Sequence, residues 1–350
     1  MLTRRHFVTS TLAATTTLST GAMGKRLDPR DHDIRFGTTG SIFGAWPQGA
    51  LKMSTNMRMM LADIKHYGLE GFEPYAAQIV PFLGKPLELK ALCNKFGVTL
   101  MNVGDLPPAS GSSPAPGAAP KYPWLGGEGR NELIERMEAF ARDFLQPLGI
   151  DHWKNNMGAR PPGGPSDNQL KALAGTANEI GRRTLKYGVR LSLHAHLWGP
   201  MEREHDFRTV MSLTDPNYVW LILDTGHNVL GGMDPVKIAD EYFTRISEFH
   251  LKDTFPQYRG NTSTPTQAQH AKKSLYAAVG QGGGVDFPGV FRVMRQRHFK
   301  GWAVFDIDAP RSGDGTGSVD DNLAASVRYL RDTLQVQLPP VPEHGLFTES

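Results

Sequence analysis

Short apolar runs alternate with stretches of helical spacing along most of the chain. Eight runs read as β-strands: 33–37, 69–72, 98–103, 150–154, 189–193, 220–223, 246–249 and 302–305. Between them, apolar residues recur with a helical period. The first such stretch, 53–67, carries Met53, Met57, Met60, Leu61 and Ile64 on one face and closes at Gly68. Helices are predicted likewise over 87–96, 131–145, 167–187, 204–214, 235–242, 287–298 and 323–334, and Gly97 and Gly188 stop two of them. Strands alternating with helices imply a parallel sheet. Eight such units in one chain favour an α/β fold of the (β/α)8 TIM-barrel type over an open doubly wound sheet, because no glycine-rich phosphate fingerprint follows the first strand.

The polar residues are placed with the same regularity. The strands end in Glu73, Asp105, Asn155, His194, Asp224, His250 and Asp306. Active sites of such barrels sit at the carboxyl ends of the strands. One histidine at a strand end is more often structural than not. Polar groups at nearly every strand end call for a chemical explanation.

Charge and composition narrow the classes. Net charge is +3 over 350 residues, without a basic stripe interleaved with aromatics, so nucleic acid is not the expected partner. The single cysteine, Cys93, excludes an internal disulfide and is expected in the core, on a helix. The run Thr3-Arg4-Arg5-His6-Phe7-Val8 resembles the twin-arginine export signal, and a Thr-, Ala- and Leu-rich stretch follows it. That stretch is too short and too polar to span a membrane. Residues 1–24 are therefore expected to be a cleavable targeting peptide, with a periplasmic product and no lipid anchor. The barrel is expected over 33–335 and a surface tail over 336–350. Two polar loops, 107–127 and 256–284, are long for a compact domain and are expected at the C-terminal face, shaping specificity.

His194, Asp224, His250 and Asp306 offer two imidazoles and two carboxylates from separate strands. That mixture suits one divalent Mn, Co, Fe, Ni or Zn ion better than Ca or Mg, which prefer oxygen ligands.

Asp224-Thr225-Gly226-His227, then His250-Leu251-Lys252-Asp253, then Gly280-Gln281-Gly282 and Gly301-Trp302 leading to Asp306 follow one another in this order. In this the chain resembles the xylose-isomerase-like sugar isomerase/epimerase superfamily, over roughly 33–335 and most densely from 188 to 310. His194-Ala195-His196-Leu197-Trp198-Gly199, with Leu213-Thr214-Asp215-Pro216 and Asp286-Phe287-Pro288, is most similar to its inosose dehydratase branch. The resemblance implies a metal held by His194, Asp224, His250 and Asp306, with His227 and Glu73 facing a carbohydrate. Two positions depart from the epimerases, which usually carry glutamates where His194 and Asp306 stand. A symmetric two-carboxylate epimerisation is therefore not expected. Enolisation of a keto sugar or keto glycoside, followed by dehydration or β-elimination, is.

His196, His227 and Asp306 are the candidate proton-transfer groups, and Lys252 a candidate to stabilise the enolate. Glu73, Lys154, Asn155, Trp198 and Trp46 are candidate substrate contacts, with Tyr75 a further stacking candidate. Three other readings stand beside the lyase. One is a sugar isomerase or epimerase working through the same enediolate. Another is a non-catalytic carbohydrate-binding barrel. The last is a metal-dependent nuclease of the related barrel family, which the modest charge and the export motif disfavour. An oligomer is possible.

Overall fold

The computed structural model describes residues 33–45, 52–107, 121–311 and 316–341. The export motif, Trp46 and most of the 107–127 loop lie outside the described residues. Eight parallel strands form one curled sheet: β1 (Ile34–Thr39), β2 (Gly71–Glu73), β3 (Thr99–Leu100), β4 (His152–Asn155), β5 (Arg190–His194), β6 (Val219–Asp224), β7 (Ile246–Leu251) and β8 (Gly301–Phe305). Their order across the sheet is β3-β2-β1-β8-β7-β6-β5-β4. All eight strands stand where the apolar runs place them, and the sheet is that of a TIM barrel.

Helices α1 (Met57–His66), α2 (Pro86–Phe96), α3 (Arg130–Phe140), α4 (Asp167–Thr184), α5 (Glu204–Leu213), α6 (Thr225–Leu230), α7 (Pro235–Glu241), α8 (Phe287–Gln296) and α9 (Val319–Arg328) pack around the sheet. Their starts follow local chemistry. Ser166 and Gln169 form a reciprocal capping box on α4, and the Asp286 carboxylate accepts from the Gly289 N–H of α8. The first helix begins later than its periodicity predicts. Asn56 caps it by accepting from the Met59 N–H, and Met53 belongs instead to a short antiparallel pair of 44–45 with 52–53. A cap satisfies orphan helix N–H groups and so overrides a continuing apolar spacing. Cys93 is buried on α2 as expected, and burial pushes its thiol up to about 12. Val336, assigned by the sequence to the surface tail, is buried in the core.

The main core lies between sheet and helices, where Phe72, Leu191, Leu223, Phe249 and Phe305 meet Leu61, Ile180, Val210 and Phe291. The barrel interior is a different environment. A small apolar plug of Met101, Trp302 and Val304 fills its lower part. Backbone crowding leaves no room for side chains beside it: a Cβ on Gly71 would stand 2.5 Å from the Trp302 ring, and one on Gly37 would stand 2.7 Å from the Gly71 carbonyl. Glycine is required at both positions for that close approach.

β3 and β4 close the barrel without a regular ladder between them. A side chain bridges the gap: Asn102 Oδ1 accepts from the backbone N–H of Lys154 at 3.0 Å and of Val103 at 2.8 Å. The Asp105 N–H then donates to the Lys154 carbonyl at 3.2 Å. Asn102→Leu keeps the volume and removes the acceptor of two buried N–H groups. It is expected to cost about 2–6 kcal/mol of stability, at about 1–3 kcal/mol per unsatisfied buried group, read as a shift in the urea midpoint at unchanged slope.

Candidate functional site

Four strand ends converge. Ligand-capable atoms of His194, Asp224, His250 and Asp306 all lie within 4.8 Å of one another, and all four residues are buried. The register explains part of this: Asp224 stands directly opposite His250 across β6 and β7. His194 Nε2 is 3.5 Å from Asp224 Oδ2, and His250 Nδ1 is 3.3 Å from Asp306 Oδ2 and 3.9 Å from Asp224 Oδ2. His194 Nε2 and Asp224 Oδ2 are buried without any hydrogen-bond partner. Orphaned buried polar atoms are rare and call for an explanation.

A further set of groups, which the reading of strand ends missed, aims these atoms. Asn156, not Asn155, holds His194. Its Oδ1 lies 2.7 Å from His194 Nδ1, while its Nδ2 and its backbone N–H donate to the two oxygens of Asp105. Because Asn156 spends its N–H groups on Asp105, its carbonyl faces His194. Nδ1 of His194 must then carry the proton, which leaves the Nε2 lone pair aimed at Asp224. Asp105 holds this position in a left-handed backbone conformation, φ 65°. Asn155 turns away: its amide donates to the Trp153 carbonyl, and it lines a different cavity. Strand alternation accounts for this, since Lys154 faces the barrel interior and the next residue cannot.

His250 is gripped from below. Its Nε2 lies 3.0 Å from Glu248 and 3.2 Å from Glu73, and Glu248 also binds His152 at 2.7 Å and accepts from Asn102. Burial works against a charge on His250, yet Glu73, Asp306 and Glu248 hold its imidazole well above its ordinary range. Glu248 and His152 stand two residues before His250 and Lys154, so alternation along β7 and β4 was the signal that could have found them.

Asp306 is fixed by Thr39 and Ser41, which donate to its Oδ1 at 3.0 and 2.9 Å. Burial alone would raise Asp306, but Lys252 and His250 hold it well below the usual carboxylate range. Asp224 goes the other way, up to about 7, through burial and the Asp306 charge beside it. Lys252 Nζ donates to Asp308 at 2.7 Å and to the Asp306 carbonyl at 3.1 Å, over the Tyr276 ring. Lys154 is fully buried, 3.7 Å from Glu73 Oε1 and above the Tyr75 ring.

Beside the cluster opens a cavity of about 390 Å³, lined by Tyr75, His196, Trp198, His227, Lys252, Tyr276, Asp306 and Asp308 among others. Such a volume suits a small ligand. Tyr276 and His270 enter its wall from the long 256–284 loop, where nothing in the sequence singled them out. His196 and His227 lie with ring centroids 4.0 Å apart and are made chemically opposite by one residue, Leu197. The Leu197 carbonyl lies 2.6 Å from His196 Nδ1, so that nitrogen carries the proton and Nε2 is an acceptor. The Leu197 N–H donates to His227 Nδ1 at 3.2 Å, with the Tyr276 hydroxyl 2.9 Å away. Nδ1 of His227 is therefore unprotonated and its buried, unpartnered Nε2 is a donor. Trp198, next in the chain, has φ 62°, a costly conformation held by the Glu202 carboxylate, the Arg160 N–H and the Pro265 carbonyl.

A family model for the xylose isomerase-like TIM barrel matches residues 61–333, and the chain belongs to that family. An inosose dehydratase of Clostridium botulinum (strain Alaska E43 / Type E3) is 27% identical over 150 residues, which is 41% of this chain and 48% of that protein. The chain thus spans about half the length of the curated relatives it matches. Among solved structures, a sugar phosphate isomerase/epimerase of Parabacteroides distasonis superposes with a TM-score of 0.62 at 17% identity, covering 93% of this chain and all of that one. The probable 3-DHS dehydratase AsbF of Bacillus anthracis gives 0.61 at 13% identity, over 85% and 99%. An IolI protein described with a bound zinc atom gives 0.59 at 15% identity, over 85% and 97%. Among the described residues, no helix is long and apolar enough to cross a membrane.

Two consequences are measurable by histidine ¹⁵N NMR. At neutral pH His196 is expected as the Nδ1–H tautomer and His227 as the Nε2–H tautomer. Burial lowers the imidazole of His196 to about 4 and holds His227 well below its ordinary value. The unfolded chain then takes up the His196 proton first, so this group's contribution is complete above about 6.5 and is lost as pH falls toward 4. A His196 resonance titrating near 6.5 in the folded protein contradicts this environment.

Proposed function

We propose that this protein is a divalent-metal-dependent lyase that enolises a keto sugar or keto glycoside and eliminates a β-hydroxyl or β-alkoxy group. The observation that carries the reading is the pair of orphaned, buried atoms, His194 Nε2 and Asp224 Oδ2, facing His250 and Asp306. A two-imidazole, two-carboxylate donor set fits Mn, Co, Fe, Ni or Zn, and these four residues would hold the ion. Bound there, it would polarise the substrate carbonyl as a Lewis acid. Glu248 and Glu73 would keep the Nε2 proton of His250 while its Nδ1 serves as ligand, a carboxylate–imidazole arrangement common around metals.

The proton chemistry follows from the tautomers. His196 Nε2 is the free acceptor on the cavity wall, and it is placed to remove the α-proton of the ketone. The resulting imidazolium is then the nearest proton source for the departing oxygen, which leaves as water or an alcohol. His227 Nε2–H donates a hydrogen bond to a substrate oxygen, and Lys252 sets positive charge beside the developing enolate. Asp306 is less suited to be the base, since Thr39, Ser41 and Lys252 stabilise it as a carboxylate. The same facts disfavour epimerisation by two free carboxylates. The dehydratase names among the relatives support this reading. The Thr3–Val8 motif supports export by the twin-arginine route to the periplasm.

The test begins with protein purified without chelator. One divalent metal per chain is expected. In deuterated water, inososes or 3-keto-glucosides should take up deuterium next to the carbonyl and release water or the aglycone. Exchange with an isomeric product and nothing released would establish an isomerase instead. Absence of exchange with Mn or Co added would leave a binding protein. Separately, Asn156→Leu frees the His194 ring while leaving all four ligands in place. Metal affinity is expected to fall about 10–100-fold, measured by titration of the demetallated variant, with the circular dichroism spectrum unchanged.

A further inference from the structure

The line of contacts behind His250 does not end at Glu248. It runs on through His152 toward the opposite rim of the barrel. Glu248 stands in the middle of β7, two residues before His250, and His152 opens β4. Glu248 Oε1 lies 3.0 Å from His250 Nε2, and Glu248 Oε2 lies 2.7 Å from His152 Nε2. The other ring nitrogen, His152 Nδ1, lies 2.7 Å from Asp151 Oδ1, on a carboxylate that is 77% exposed. Four consecutive groups thus connect solvent at the start of β4 to the cluster at the strand ends.

Geometry fixes the protonation along this line. Both nitrogens of His152 face carboxylate oxygens, which only accept, so both carry protons and the ring is an imidazolium. Burial works against that charge, yet Asp151 and Glu248 hold the imidazole up at about 10. His152 and Glu248 are both buried. A buried ion pair is weak as a source of stability, since apolar residues of the same shape often do as well. What this pair supplies is a direction. Glu248 Oε2 accepts from His152 and, at 3.3 Å, from Asn102 Nδ2. With that oxygen held by two donors, Oε1 is aimed at His250 Nε2. A ring held at Nε2 turns Nδ1 toward Asp306 and Asp224, 3.3 and 3.9 Å away. Glu73, the other acceptor near Nε2 at 3.2 Å, is held less firmly: its Oε1 has no hydrogen-bond partner, and Lys154 is 3.7 Å away.

We infer that His152 is a remote positioning residue of the metal centre: its imidazolium pins Glu248, and Glu248 in turn aims Nδ1 of His250 at the space it shares with His194, Asp224 and Asp306. The inference rests on the metal reading above and extends it one hydrogen-bonded group further from the ion. Asp151 completes the device from the solvent side by holding the far nitrogen of His152.

The experiment is a metal titration that needs no substrate. Demetallated full-length protein is titrated with Co(II), followed by calorimetry and by the visible absorption of the bound ion, which reports ligand geometry. His152→Leu is expected to weaken Co(II) binding about ten-fold, the lower end for groups that orient metal ligands, and to change the absorption bands. His152→Gln offers an amide N–H to Glu248 without the charge, and it is expected to recover most of the affinity and the parent spectrum. A merely structural role would lower the unfolding midpoint and leave the spectrum of the folded, loaded protein unchanged. Should His152→Leu not fold, because Glu248 is left as a lone buried carboxylate, the double variant His152→Leu/Glu248→Gln removes that charge and is expected to show the same ten-fold loss. Parent affinity and spectrum in the Leu variant or the double variant, or an equal loss in the Leu and Gln variants, overturns the inference alone. A parent protein that binds no Co(II) overturns the metal reading and this inference with it.

Discussion

Burying ionised groups inside a barrel is tolerable only when each finds a partner, and that constraint organises the upper half of this molecule. Glu73, Glu248, His250, His152, Lys154, Lys252 and Asp306 are all buried, and each is paired with an opposite charge or with fixed donors. A lone buried charge would be expensive, whereas a connected network is rigid. Glu248 is the hinge of the network. It binds His152 and His250 and accepts from Asn102, the residue that also bridges the β3–β4 gap. Closure of the barrel and orientation of the strand-end histidines are thus one problem with one solution.

Against that satisfied background the unsatisfied atoms stand out. His194 Nε2 and Asp224 Oδ2 stand 3.5 Å apart within the strand-end cluster, His227 belongs to the wall of the cavity beside it, and Asp63 Oδ1 is orphaned elsewhere in the fold. Their neighbours have been spent on holding them in place: Asn156 and Asp105 behind His194, and the Leu197 peptide behind His227. Preorganised groups of this kind need no rearrangement when charge develops beside them. The strained Trp198, pinned at three points, is consistent with a loop built to present His196 and His227 in opposite tautomers.

Much of this was legible along the chain. Strand positions follow from apolar runs bounded by turn residues, because a parallel barrel strand is buried on both faces. The four strand-end groups were legible for the same reason, since a polar residue closing such a run has to lie at the rim. Helix starts were less so. Met53 fits the apolar spacing of α1, yet Asn56 decides where the helix begins. Asn155 and Asn156 differ by one residue, and only the pleat of β4 selects Asn156 to hold His194.

The sequence by itself determined the alternation of strands and helices, the barrel they close into and the identity of the residues at the strand ends. These depend on local period and composition, which are written in linear order. Tertiary structure alone decided which nitrogen of His194, His196 and His227 carries a proton, which asparagine stands behind His194, that Tyr276 and His270 return from a distant loop to the cavity, and that Asp63 Oδ1 is left without a hydrogen-bond partner. Each of these is set by atoms far apart in the chain, meeting within hydrogen-bond distance only after the sheet has curled and closed.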